Sequence, residues 1–402
     1  MSGLRITMLA PFGIRPKGTL SARMLPLAQA LTRRGHSVGI IAPPVQNPQD
    51  AGRRDIYAGV PVLHTPLPTL PGAAGVAQQV QSLLRAALAE RPDVLHLFKP
   101  KGYSGLAALL AQAIRPDLPL VVDTDDWEGR GGWNELLPYP RSAKALFAWQ
   151  ERDLPRRAAA VTVASRTLQS QVWGFGVPPE RVVYLPNGVA GIENEQLRIE
   201  KLPHNGTQFS ILLYTRFWEF DVRDLVAALV PIVSGCPGAR LLVVGRGERG
   251  EEHELLRLAA RAGVAAAIDY RGWAEPHAIP ALLAAADLAL VPMDDTLINR
   301  ARSSAKLLEL MAAGLPIVAG RVGQVAEYIE DRHSGLLVAP GDPAALAHAT
   351  LTLLADPALR EQLGQAARTR VAQHYTWNRL APDAERAYNL ALSSKRITPR
   401  FE

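Results

Sequence analysis

Residues 302–327 read RSSAKLLELMAAGLPIVAGRVGQVAE. Leu307, Leu308, Leu310 and Met311 fall at the offsets of one apolar helix face. Ser303 or Ser304 stands where an N-cap belongs, and Gly314 with Pro316 supplies the stop. The spacing predicts a short helix, a strand over Ile317 to Ala319, and a glycine turn at Gly320 and Gly323. A helix start offers amides and partial positive charge suited to a phosphate, and Lys306 adds a full charge there. Glu309, one turn on, can accept two hydrogen bonds from a ribose diol, as an acidic residue does in dinucleotide folds. The plain alternative is an amphipathic helix whose lysine and glutamate are simply solvated.

The wording KLLELMAAGLPIVA closely resembles the nucleotide-sugar segment of glycosyltransferase family 4. The likeness runs over nearly the whole chain and is more specific in its C-terminal half. It implies that Glu309 holds the donor ribose and that Ser304, Lys306 and Leu307 belong to the donor site. Many members carry a second glutamate where this chain has Ala301; members without it often read S-P-x-K-L-x-E, which Ser303 to Glu309 fits apart from Ala305. In YTRFWEFD, Arg216 matches the first of two cations that grip the donor diphosphate. The second falls on Asp221, leaving Lys306 or Arg223 to take over. Arg271, Gly272 and Trp273 stand near the expected base pocket. The resemblance further implies the GT-B architecture: two Rossmann-like, doubly wound α/β domains facing a cleft. With it come a UDP-, GDP- or ADP-sugar donor, retention of configuration and no obligatory metal. Arg216 and Lys306 then stabilise the leaving diphosphate.

Toward the N-terminus, LRITMLA reads as a strand, PFGIRPKGT as a loop, and GHSVGIIAP as the strand after an intervening helix. Gly18 lets backbone approach a diphosphate closely, although the family usually has two adjacent glycines where this chain has Gly18 and Thr19. Pro26 predicts a kink or a late helix start. PDVLHLFKPKG brings His96, Lys99 and Lys101 to a strand end, and LPLVVDT delivers Asp123, Asp125, Asp126 and then Trp127. His96, Lys99, Asp125 and Trp127 are the candidate acceptor side, with Asp125 also a catalytic candidate in a position where the family commonly has histidine. DTD by itself also fits a metal-binding Asp-x-Asp or a phosphatase-like nucleophile pair, and Asp123 fits a cap on the following turn. PNGV resembles the inter-domain signature PNGVD, with Ala190 in place of the aspartate.

A chain of 402 residues suits two domains. The expected division is 1–190 for the acceptor-side domain, 191–206 for a linker and 207–379 for the nucleotide-sugar domain, with a last helix from about 380 to 402 returning to the first. Apolar residues make up 48% and charged residues 20%, as in a soluble globular protein. The single Cys236 rules out an internal disulfide framework. No apolar run reaches the roughly 18 residues needed to span a bilayer, so a cytoplasmic protein is expected. Residues 1–200 hold 22 Lys and Arg against 16 Asp and Glu, whereas the remainder is balanced at 22 each. That asymmetry points to an anionic partner for the first domain. Without a nucleic-acid motif it favours a phospholipid surface or a phosphorylated acceptor over DNA or RNA. The basic, partly apolar segment 141–160 can lie on the inner face of an anionic membrane or pack into the core. Two further readings stand beside the transferase. One is a non-catalytic family member that binds a sugar nucleotide or a protein. The other is an NAD-linked enzyme, for which Gly245, Gly247 and Gly250 give a weak GxGxxG.

Overall fold

The computed structural model describes residues 3–15, 18–190 and 208–394. Two compact units emerge. The first takes the chain to Gly188, then Ala301–Ser303 and the helix Trp377–Ser394; the second takes Val189–Arg300 and Ser304–Thr376. The linker expected at 191–206 lies outside the described residues.

The first unit is built on eight strands: β1 (Arg5–Leu9), β2 (Ser37–Ala42), β3 (Arg54–Tyr57), β4 (Val60–His64), β5 (Val94–Phe98), β6 (Leu120–Thr124), β7 (Ala160–Val163) and β8 (Val182–Tyr184). They are ordered β3-β4-β2-β1-β5-β6-β7-β8, and only the β3–β4 pairing is antiparallel. Helices cover both faces, so the central strands are buried on both sides rather than alternating between buried and exposed. In β1, Ile6 and Met8 enter one core layer while Leu9 enters the other. Trp377, Leu380, Ala384 and Tyr388 of the Trp377–Ser394 helix share the first of these layers with Leu20, Met24 and Leu27.

Pro26 acts as a late start. A π-turn over Leu20–Met24 precedes the α-helix Leu25–Arg33, and the proline occupies its first turn, where a missing N–H costs least. The π-turn carries Arg23, which is almost wholly buried.

The second unit has six parallel strands: β9 (Phe209–Tyr214), β10 (Ala239–Val244), β11 (Ile268–Gly272), β12 (Leu288–Val291), β13 (Ile317–Gly320) and β14 (Leu336–Val338). Their order is β11-β10-β9-β12-β13-β14. Ile211 and Leu213 of β9 face one core layer and Leu212 the other. The helix between β12 and β13 spans Ala305–Ala312. Ser304 is its cap, and Gly314 leaves it at φ +72°, a conformation that only glycine adopts cheaply. In sheets of this kind, ligands gather beyond the carboxyl ends of the strands. Arg216, Gly245, Trp273 and the Ser304–Glu309 turn all follow such ends in the second unit; Lys99 and Asp125 do so in the first.

Candidate functional site

In the second unit, Tyr214 at the end of β9 joins the pieces. The Lys306 ammonium sits 4.6 Å from the Tyr214 ring centre, within cation–π range. Burial, helped by the nearby Glu309 carboxylate, pushes the Tyr214 hydroxyl well up. Lys306 and Glu309 therefore flank one aromatic ring at the strand edge, and Arg216 follows two residues later. Arg216 is about half exposed and donates to Glu248 Oε1 at 2.7 Å. The Leu307 amide donates to Ser304 Oγ at 3.3 Å and the Leu307 side chain is buried. These two residues shape the turn while Lys306 and Glu309 carry its charge.

Gly245 closes the neighbouring strand end at φ +135°, where a Cβ would lie 1.8 Å from the Thr215 carbonyl oxygen. Its amide donates to the Gly272 carbonyl at 2.7 Å, tying β10 to β11. Beyond it the dinucleotide reading fails. Gly247 N donates to Glu252 Oε2 at 3.0 Å, and Arg249 N donates to Glu251 Oε2 at 2.8 Å. Amides that would receive a pyrophosphate are held by the chain's own carboxylates, and the helix start brings three acids. Arg271 is exposed and paired with Asp269 at 2.6 Å, and Trp273 is 57% exposed beside it.

Asp221 is a helix cap: its Oδ1 accepts from Arg223 N at 2.8 Å, and its carboxylate is ion-paired with the Arg223 side chain. Hydrogen bonding from Arg223 holds Asp221 below its ordinary range. Arg223 is itself 74% exposed in this pair.

The first unit treats its charges differently. Lys99, at φ +50° just past β5, is buried. Its ammonium lies 2.6 Å from Asp126, 2.9 Å from Glu128 and 3.8 Å from Asp125. Burial alone would lower its pKa, but the three carboxylates raise it well above the usual lysine range. Lys101 joins Glu128 at 3.0 Å and faces the rings of Phe12, Tyr139 and Phe147. Burial would push Glu128 up, yet the two lysines bring it down to about 2. Asp125 accepts from the Thr19 hydroxyl at 2.8 Å. Its burial outweighs Lys99, so its carboxyl rises to about 7. Gly18 does not present its amide outward, since that N–H donates to Ser21 Oγ at 3.0 Å.

Two expectations are corrected. His96 is not beyond a strand end: it lies inside β5, paired in register with Met8, and is fully buried. Its Nδ1 is 3.0 Å from the Tyr388 hydroxyl, and burial lowers it to about 4. Asp123 is not a turn cap. It receives Arg23 through Nε at 2.8 Å and Nη2 at 2.6 Å, and the Thr162 hydroxyl at 2.6 Å. Arg23 also donates to Asn187 Oδ1 at 2.9 Å, and Asn187 Nδ2 donates to the Ser303 carbonyl at 2.7 Å. With Asp123 on Arg23 and Asp125 between Thr19 and Lys99, the DTD stretch reads as ion-pair scaffolding. Sequence reasoning missed Arg23, Glu128 and Asn187, although Asn187 lies in the PNGV signature.

Residues 18–188 match the glycosyl transferase 4-like domain, and residues 208–356 match glycosyl transferases group 1. The chain belongs to glycosyltransferase family 4. Phosphatidyl-myo-inositol mannosyltransferase of Mycobacterium leprae is 27% identical to this transferase over 395 residues, covering 97% of this chain and 98% of the relative. Sucrose-phosphate synthase of Thermosynechococcus elongatus superposes with a TM-score of 0.72 at 18% identity, covering 97% and 100% of the two chains. HepE of Anabaena, crystallised with UDP and glucose, gives 0.70 at 20% identity over 95% and 98%. The fold is GT-B. In this transferase Ala301, where many members have glutamate, is packed in a core layer of the first unit. The segment 141–160 forms a helix over Arg141–Arg157 that turns Leu154 and Pro155 inward while Trp149 stays 36% exposed. Among the described residues no helix is long and apolar enough to cross a membrane.

Proposed function

We propose that this chain transfers a hexosyl group from a nucleoside-diphosphate sugar to an acceptor, with retention and without a metal. The observation that carries the reading is the grouping of Lys306 and Glu309 around Tyr214, with Arg216 following the same strand end. Glu309 holds the ribose diol. Arg216 and Lys306 face the diphosphate, where fixed positive charge is worth most as the bond to the sugar breaks. The departing phosphate oxygen takes the acceptor proton, which fits a site whose buried Asp125 and His96 are engaged within the first domain. That domain offers the acceptor. Its excess of positive charge suits a sugar, lipid or small molecule bearing an anionic group. The mannosyltransferase named above supports such a reading, being similar over nearly its whole length.

One observation favours a second reading, a sugar-nucleotide binder without turnover: Asp221 stands where a diphosphate-binding cation is expected, and its charge repels phosphate. Thermal shift with UDP, GDP and ADP tests donor binding. A ligand at 100 times its dissociation constant adds about 2.7 kcal/mol. Release of free sugar from the matching donor then separates a transferase, which hydrolyses it slowly, from a binder, which does not. No shift with any of the three nucleotides would end both readings.

A further inference from the structure

A cavity of about 660 Å³ opens in the first unit between the Arg141–Arg157 helix, the loop after β6 and the Arg166–Gly174 helix. Its volume lies within the range of small-molecule sites. Trp127 and Trp149 contribute flat apolar walls. Trp127 is fixed by donating its indole N–H to the Arg130 carbonyl at 2.8 Å, while Trp149 is 36% exposed. Three guanidinium groups, of Arg130, Arg141 and Arg152, line the same space. None of the three makes an ion pair or a side-chain hydrogen bond among the described residues.

Of the two acids that line the space, Glu135 is exposed and leaves the cations, four with Lys144, in excess. Glu151 turns its carboxylate to the amides of Glu128 and Gly129, at 2.6 and 2.9 Å, and clamps the loop that carries Trp127. A Cβ on Gly129 would lie 2.1 Å from Glu151 Oε2, so the clamp needs glycine there. Gln171, 7% exposed, lines the cavity too and lies beside Glu151. Aromatic walls, an amide and a cluster of unspent guanidiniums are the complement of a polyol that carries a phosphate.

We infer that this cavity binds a phosphorylated sugar or cyclic polyol, with the ring against Trp127 and Trp149 and the phosphate among Arg130, Arg141 and Arg152. As the acceptor's position it rests on the transferase reading, but as a binding site it stands without it. The source of the phosphopolyol can be a free metabolite or a lipid head group.

The test is calorimetric titration of the full chain, without nucleotide. The probes are glucose 6-phosphate, myo-inositol 1-phosphate, their unphosphorylated parents and inorganic phosphate. A parallel arm uses phosphatidylcholine vesicles with and without phosphatidylinositol. At least one phosphorylated probe should bind about tenfold or more tightly than its parent and than inorganic phosphate. The paired exposed substitutions Arg141→Ala and Arg152→Ala should weaken it about tenfold or more, and Trp149→Ala should weaken it several-fold. Preference for phosphatidylinositol vesicles, lost in the arginine pair, identifies the lipid source; binding confined to soluble probes identifies the free one. The inference is overturned if neither arm binds, if inorganic phosphate binds as tightly as the best probe, or if the arginine pair binds like the parent chain. Nucleotide thermal shifts in the arginine pair should be unchanged, so failure at this cavity is distinguishable from failure of the donor reading.

Discussion

Lys99 and Arg216 each follow the carboxyl end of a central parallel strand, yet they are held in opposite ways. Lys99 is buried among three carboxylates, and its neighbour Lys101 shares one of them. Arg216 is about half exposed and keeps a single partner, Glu248, itself 44% exposed. An exposed pair of this kind is worth roughly 0–1 kcal/mol, so an arriving diphosphate can draw Arg216 away at little cost. Buried charges cannot be given up so cheaply, because each partner left behind stays desolvated. The first domain spends its strand-end charges on its own architecture. In the second, Arg216 keeps only an exposed, easily exchanged partner.

The sharpest break of this contrast is Arg23→Ala. It strands Asp123 in the core and should destabilise the first domain by about 3–5 kcal/mol. Arg216→Ala should change stability by no more than about 1 kcal/mol. Equal losses in urea unfolding of the two variants would mean that the second site is structural as well. In turnover the order reverses. Arg216→Ala should lower kcat by ~10²–10³, the size seen when one donor to a developing charge is removed. Steady-state kinetics with the matching donor reads this directly, and a normal kcat would place the diphosphate elsewhere. Glu309→Ala should weaken donor binding by ~10²-fold, from the loss of two hydrogen bonds to a charged acceptor. Nucleotide titration checks it, and unchanged affinity in a folded variant would leave Glu309 a solvated helix residue.

The smallest effect sharpens the contrast by pH. Burial lifts Glu151 of the first domain to about 7 from an ordinary 4.5. Between those values the folded chain keeps a proton that the unfolded chain has lost, so this group makes stability fall as pH rises through the window. Glu151→Gln should therefore lose less Tm than the parent between pH 5 and pH 8, by on the order of 5 °C. An identical pH dependence in both proteins would remove Glu151 from the account.

What the sequence made readable was the periodic part. Ser304, Gly314 and the apolar run to Gly320 are local signals, and the helix and strand they bound follow from spacing alone. Lys306 and Glu309 were legible because a helix turn fixes which neighbours share an end. His96 was not, because VLHLF gives no sign of where a strand stops when both its faces are buried. Arg23 was invisible for a deeper reason. Its partners Asp123, Leu185 and Asn187 lie far along the chain, and nothing near Arg23 distinguishes a buried arginine from a solvated one. The service of Asp221 as a helix cap depended on the local turn geometry.

The helix Trp377–Ser394 has a consequence for how the protein is made. Its Trp377, Leu380 and Tyr388 complete a core layer whose other members, from Ile6 to Leu185, leave the ribosome before the whole second domain has been translated. Until that helix emerges, Leu20, Met24 and Leu27 lack a wall, and Arg23 lacks the Trp377 ring 5.8 Å away. The first domain begun is thus the last one closed. During synthesis, its nascent form carries an open apolar face that a holding chaperone can occupy, while the second domain already has every residue it needs.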